Sequence, residues 1–272
     1  MCKDYSDEGQ IVALEQALRT WFTRNADPVL AQIDSLDIGW GGVQRWATAR
    51  MPPPTEGLHL DVACGYATFL AQLGWRFPRA RLVGLNIDFD GPHALARPLL
   101  AEAGVTATLV QGDARRMPFA EGVLGSVSCF LGLQDIDIGF GEEGVQNAVT
   151  EAVRVLRPGG VLVLLDEFPF EWFGTLLAGL PTVVIDQGER DLAVRWNRQV
   201  AERAIPLYAK GWAVQARVAG FVAQEQTRNE VHSRMLTEME SQLTTQGYYV
   251  PFGPARMVVA RKARMPKLET WN

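Results

Sequence analysis

The chain has 272 residues, 47% hydrophobic and 21% charged, with a formal net charge of −5. This composition suits a globular protein with one large core and a small appendage, and the acidic balance argues against a general affinity for nucleic-acid backbones. Three widely spaced cysteines point to neither a disulfide scaffold nor a metal cluster, and neither a signal-type leader nor a membrane-length apolar run is present, so a cytoplasmic protein without a metal is expected.

Residues 8–50 read as helical. Ile11, Leu14, Leu18 and Trp21–Phe22 recur at helical spacing, as do Val29, Leu30 and Ile33, before the glycine-rich break Ile38-Gly-Trp-Gly-Gly42. The three prolines of Met51-Pro-Pro-Pro-Thr-Glu-Gly57 cannot continue a helix, so this stretch is a stiff connector between an N-terminal helical cap (1–56) and a core over 57–264, with a tail over 265–272.

From Gly57 the rhythm becomes strand, helix, strand. Strands are expected at 58–62, 81–87, 106–111, 123–130 and 161–166, with helices at 66–77, 92–103 and 145–156 between them. The fifth strand, Val161-Leu-Val-Leu-Leu-Asp166, is almost purely aliphatic, as a strand covered on both faces should be. The alternation predicts an α/β fold with a doubly wound, mostly parallel sheet. Residues 167–212 break the rhythm with Phe168, Phe170, Trp172, Phe173, Trp196, Tyr208 and Trp212, and read as an aromatic-rich helical insert after the fifth strand. A helix over 186–204, closing strands at 221–228 and 257–261, and the end of a helix at 213–220 complete the expected elements.

Ligands of such sheets bind beyond the carboxyl ends of the strands. The first strand ends in Asp61 and turns on Ala63, Gly65 and Ala67, residues without bulk that let main-chain N–H groups approach a ligand. The second strand ends in Asn86, 25 residues after Asp61, where a polar side chain meets ribose hydroxyls. The third ends in Gln111-Gly-Asp113-Ala114, where a carboxylate can accept from an adenine amine and the next N–H can donate to the ring. These polar ends share one rim and predict a nucleoside-type cofactor.

The segments LDVACGYAT, VGLNID, VQGDARRMPF and EAVRVLRPGGVLVLLD, with the closing GPARMVVAR, resemble the class I S-adenosylmethionine-dependent methyltransferases, in their small-molecule branch of quinone, sterol and natural-product enzymes. The resemblance implies a seven-stranded Rossmann-like sheet with an antiparallel last strand and S-adenosyl-L-methionine as cofactor. It implies that Asp61 lies near the methionyl amino group, that Ala63, Cys64 and Gly65 supply the turn, and that Asn86 takes the ribose position. Ile87 packs on the adenine, Asp113 and Ala114 hold its edge, and Cys129, Phe130 and Gln134 lie beside the methionyl end. Trp40 is a candidate to fold over the cofactor, with Gln44 as a companion. Two positions depart from the family pattern. Ala67 replaces a glycine, and Gly125 replaces an aspartate.

An acceptor hydroxyl would also want a base. Glu167, Asp135 and His232 are the candidates carried forward. Asp137, Asp166 and His93 are weaker, with His93 expected on the surface and His59 expected to be structural. The expected activity is methyl transfer to a small, largely apolar or aromatic acceptor, at oxygen or nitrogen ahead of carbon. The partner is a small molecule, not nucleic acid, and a homodimer is left open. The alternatives are a non-catalytic cofactor-binding or regulatory protein on the same fold, or a nicotinamide oxidoreductase, which would want Gly-x-Gly-x-x-Gly where this chain has Ala63-Cys-Gly65-Tyr-Ala67.

Overall fold

The computed structural model describes residues 8–26, 41–54, 57–192, 194–218 and 224–264. Helices α1 (Glu8–Asn25) and α2 (Gly41–Arg50) precede β1 (Leu58–Val62), α3 (Thr68–Arg76), β2 (Arg81–Asn86), α4 (Ala96–Glu102) and β3 (Ala107–Gln111). There follow β4 (Leu124–Phe130), α5 (Leu133–Val155), β5 (Leu156–Asp166), α6 (Phe170–Leu177), β6 (Thr182–Arg190), α7 (Arg198–Val218), α8 (Gln224–Gln246) and β7 (Ala255–Lys262). The strands form one seven-stranded sheet in the order β3-β2-β1-β4-β5-β7-β6. Neighbours from β3 to β5 are parallel, and β7 runs antiparallel to both β5 and β6.

The doubly wound expectation holds because the central strands are apolar on both faces. On β5, Val161, Val163 and Leu165 join a core with Phe69, Leu70 and Leu73 of α3 and residues of α7 and α8. Leu162 and Leu164 join the opposite core, under α5 and α6. Helix α1 adds a third cluster, with Ile11, Leu18 and Phe22 against Tyr66, Ala71 and Trp75.

Two expectations fail past β5. Residues 186–190, read as the start of a helix, belong to the edge strand β6, and residues 224–228, read as a strand, begin α8. The reason is periodicity. On an edge strand with exposed Val183, Val184 and Ile185, the apolar run has no alternation to betray it. Helix α5 starts well before residue 145 and comprises two stretches joined at Gly141 (φ 69°, ψ −178°).

The turn after β1 carries its own strain. Ala63 (φ 54°), Gly65 (φ 49°) and Ala67 (φ 65°) are all left-handed, so the two alanines occupy backbone states that suit glycine. A left-handed L-residue costs roughly 1–2 kcal/mol. Ala67 is fully buried, and losing its methyl would cost about 0.8 kcal/mol, so Ala67→Gly should change stability little. Ala63 is only half-buried, and Ala63→Gly should stabilise by about 1 kcal/mol in urea unfolding. A destabilised Ala63→Gly would mean that the turn relaxes in the folded protein.

Candidate cofactor site

A cleft opens at the carboxyl ends of β1, β2 and β3. It is lined by Ala63, Gly65, Leu85, Asn86, Ile87, His93, Gly112, Asp113, Ala114 and Arg115, and on the α5 side by Asp135, Ile136, Gly139 and Phe140. Its floor is the β1–α3 turn, held by Cys64 N–H donating to Leu85 O (3.1 Å) and Ala67 N–H donating to Cys64 O (2.7 Å). A Cβ built on Gly65 meets no atom within 4 Å, so the main chain there faces open space. The neighbouring turn is packed tightly. A Cβ on Gly132 would lie 2.5 Å from the Ala63 Cβ and 3.1 Å from Cys129 Sγ.

Of the residues expected to hold a cofactor, Ala63, Gly65, Asn86, Ile87, Asp113 and Ala114 line this cleft together, and so does Asp135. Asp61 lies buried at the end of β1 and accepts from Ser128 Oγ–H at 2.6 Å. Burial pushes its carboxyl up to about 7, partly offset by that hydrogen bond. Cys64 and Cys129 are buried, with thiols pushed well up by burial, and neither is among the lining residues. Phe130 stacks on Phe69 (4.6 Å between centroids) instead of lining the cleft. Gln134 also lies outside the lining, and its N–H donates to Asp166. Trp40 lies outside the described residues, and Gln44 is buried, donating to Thr68 Oγ1 at 2.8 Å.

The acid–base candidates separate. Asp166 accepts from the N–H groups of Leu133 and Gln134, so it caps the start of α5. Glu167 follows β5 and accepts from Gly253 N–H at 2.6 Å. Burial pushes its carboxyl up to about 8, against the opposing Gly253 hydrogen bond. His232, expected just past a strand, sits within helix α8. Neither Glu167 nor His232 lines the cleft. His59, expected to be structural, is buried between two serines of β4.

Seven lining residues went unforeseen: Leu85, His93, Gly112, Arg115, Ile136, Gly139 and Phe140. His93, expected on the surface, lines the cleft with its Nδ1 3.2 Å from Asn86 Nδ2. Arg115 forks onto Asp113 through Nε (3.1 Å) and Nη2 (2.7 Å), and its guanidinium lies 3.4 Å from the Phe140 ring centroid. Burial raises the Asp113 pKa, but the hydrogen bonds and charge of Arg115 prevail and hold it below the ordinary carboxylate value. The signal for Ile136 and Phe140 was their i, i+4 spacing, which puts both on one helix face. Among the described residues no grouping of three or more His, Cys, Asp or Glu could hold a metal ion, and no helix is long and apolar enough to cross a membrane.

The raised carboxyls set a pH dependence. Unfolded, Asp61, Asp166 and Glu167 release their protons near the ordinary values of 3.8, 3.8 and 4.5; folded, they hold them to about 7, 7 and 8. Between those limits the folded state carries more protons, so stability falls as pH rises. The urea midpoint should be lower at about pH 8.5 than at about pH 5.5. A midpoint that climbs over this interval would show these groups ionised in the folded protein.

Residues 60–164 match the family described as "Methyltransferase domain". The chain is 34% identical over 137 residues to the ubiquinone/menaquinone biosynthesis C-methyltransferase UbiE of Paracoccus denitrificans, covering 48% of this chain and 52% of that protein. It is 33% identical over 176 residues to a demethylmenaquinone methyltransferase of Parafrankia sp., covering 58% and 62%. The chain thus spans about half to three fifths of the length of these relatives. Among solved structures, the YcgJ protein from Bacillus subtilis superposes with a TM-score of 0.52 at 15% identity, over 83% of this chain and 98% of that one. The [4+2]-cyclase SpnF does so at 0.52 and 14%, over 82% and 81%. At these identities the structural likeness concerns the fold.

Proposed function

We infer that this chain, whose residues 60–164 carry the methyltransferase-domain match, transfers a methyl group from S-adenosylmethionine to a small acceptor. The observation that carries this reading is the cleft itself. An open main-chain turn at Gly65, the polar end of β2 at Asn86, and the Asp113–Ala114 pair after β3 line one hollow. The residues fit the cofactor's parts. Asp61, buried at the end of β1 and outside the cleft lining, is in this reading the anionic partner for its ammonium group. Asn86 takes the ribose, with Nδ2 engaged by Asp88 O (2.7 Å). Ile87 gives the adenine an apolar face, and Asp113 with the Ala114 N–H binds its edge. When bound, S-adenosylmethionine supplies a methyl on a sulfonium sulfur, an already activated leaving group.

The protein's own work is alignment and exclusion of water. The acceptor end lies past β4 and β5, beside Leu131, whose left-handed backbone (φ 54°) is a further strained position. Trp196, Tyr208, Tyr249 and Phe252 pack together where the chain enters β7. This cluster is buried core, so the apolar or aromatic character of the acceptor rests on the composition of the 167–212 segment alone. Glu167 follows β5 outside the cleft lining, and burial raises its carboxyl to about 8, which disfavours it as a base at neutral pH. The expected preference for oxygen or nitrogen over carbon draws no support, because the UbiE relative is named a C-methyltransferase.

The test is transfer of labelled methyl from S-adenosylmethionine to a panel of phenols, amines and hydroquinones. Binding of S-adenosylhomocysteine without transfer to any of them would favour the non-catalytic reading. NADH binding without homocysteine binding would overturn the cofactor assignment. Asp113→Ala should weaken S-adenosylhomocysteine binding by about 1–3 kcal/mol in calorimetry, the loss of a buried hydrogen bond to the adenine edge. Unchanged affinity would mean that Arg115 keeps Asp113 from the ligand.

A further inference from the structure

Under the proposed cofactor site runs a buried polar chain that the activity does not by itself require. His59 and Asp61 alternate along β1, and in the parallel pairing with β4 they lie opposite Ser126 and Ser128. All four side chains are buried, with exposures of 0–2%. They point away from the sheet face on which Leu60, Val62 and Val127 join the α5 core. His59 Nδ1 lies 2.8 Å from Ser126 Oγ, His59 Nε2 lies 3.0 Å from Ser128 Oγ, and Ser128 Oγ–H donates to Asp61 Oδ1 at 2.6 Å.

The proton count makes this chain directional. Each hydroxyl has one proton to donate, and a neutral imidazole has one N–H. With Asp61 ionised, the Ser128 proton is committed to the carboxylate. Nε2–H of His59 must then donate to Ser128, and Nδ1 must accept from Ser126. Three mobile protons fill the chain in one sense. If Asp61 gains a proton and donates it to Ser128, every link reverses. Ser128 then donates to Nε2, and the imidazole proton sits on Nδ1, donating to Ser126. Four protons fill the chain in the opposite sense, and the one added is the carboxyl proton.

We propose that His59 is a positioning residue for the cofactor, a tautomeric relay that orients Ser128 and through it sets the charge and direction of Asp61. This rests on the reading of the cleft as a site for S-adenosylmethionine, whose ammonium wants an ionised partner. The surroundings suit such a relay. Burial holds His59 neutral, with its pKa lowered to about 3, while Asp61 titrates near 7. The other titratable groups that feel the Asp61 charge are the Cys64 thiol from the turn and, across the sheet, the Cys129 thiol from β4, both pushed well above the ordinary value and therefore neutral. Asp166 and Asp135 reach Cys129 from its other neighbours. The imidazole is thus the group on this chain that can answer a charge change at Asp61 without becoming charged itself.

The experiment is imidazole ¹⁵N NMR on the full chain across pH. The protein has three histidines, His59, His93 and His232, so substitution assigns each one. His59 should show the Nε2–H pattern at alkaline pH and shift to Nδ1–H as pH falls through about 7, where Asp61 titrates. Asp61→Asn should hold one tautomer throughout. A tautomer that does not respond to pH in the unaltered protein, or the same switch in D61N, overturns the relay. A second readout is S-adenosylhomocysteine affinity against pH. It should fall on acidification through the same interval, and Ser128→Ala, which removes the donor to the ionised carboxylate, should move that midpoint upward. Ser128→Ala should weaken binding at alkaline pH about tenfold, the effect of one hydrogen bond to a charged group. An unmoved midpoint in S128A with affinity intact defeats the relay while leaving the cofactor reading standing. If the unaltered protein binds no S-adenosylhomocysteine at any pH, the cofactor reading falls, and the tautomer switch is still decided on the free protein.

Discussion

Gly65→Val should abolish S-adenosylhomocysteine binding within the range of calorimetry, a loss of at least two orders of magnitude, while the protein still folds. Two effects act together. Gly65 has φ 49°, a conformation that β-branched residues avoid, and holding one there costs about 1–3 kcal/mol. The turn must therefore shift or store that strain. The side chain also has no protein to rest on, because nothing lies within 4 Å of the Cβ position. It would project into the cleft that Gly65 lines with Ala63, Asn86 and Asp113. Core packing is untouched, so thermal unfolding should move by no more than the strain. Gly65→Ala separates the two effects, since it keeps most of the strain and removes most of the intrusion. If Gly65→Val binds as the unaltered protein does, the adenosyl group sits elsewhere.

Gly132→Val should reduce stability by about 3 kcal/mol, toward the upper end for forced overpacking. Gly132 has φ −112°, so backbone strain plays no part. The cause is contact. A Cβ there would lie 2.5 Å from the Ala63 Cβ, a separation that real side chains do not reach, and 3.1 Å from Cys129 Sγ. Neither neighbour can swing aside, since the alanine methyl is fixed to its backbone and Cys129 is buried. The β4–α5 turn and the β1–α3 turn would be pushed apart, and the second of these is the floor of the cleft. Cofactor affinity should therefore fall along with the urea midpoint. Gly132→Ala should do the same to a smaller degree. A stable Gly132→Val with normal affinity would mean that the two turns do not press on each other in solution.

These two glycines differ in how legible they are. Gly65 stands in a pattern of small residues behind a strand that ends in aspartate, which the sequence displays directly. Gly132 has no local signature. Its necessity comes from Ala63, 69 positions earlier in the chain, through strands that pair as Val62 with Cys129. The same division holds for the side chains. Asn86 ends β2 and Asp113 lies two residues past the end of β3, so their place on the rim follows from strand boundaries alone. His93 reaches the rim from a short 3-10 turn at Gly91–Leu95, whose direction no periodicity reports. Phe130 ends its strand too, but it turns into the core against Phe69.

The amino-acid sequence by itself determined the order of strands and helices through β5, the aspartate-and-small-residue turn, and the polar ends of β2 and β3. These are local matters of period, turn chemistry and strand termination, each settled within about a dozen residues. Only the tertiary structure decided that β6 is an edge strand, that Asp166 caps α5 instead of facing a ligand, that Arg115 and Phe140 close one wall of the cleft, and that His59 joins Asp61 through two serines of β4. Each of these depends on contacts between segments far apart in the chain. Their partners are chosen by sheet register and helix packing, which a one-dimensional pattern does not encode.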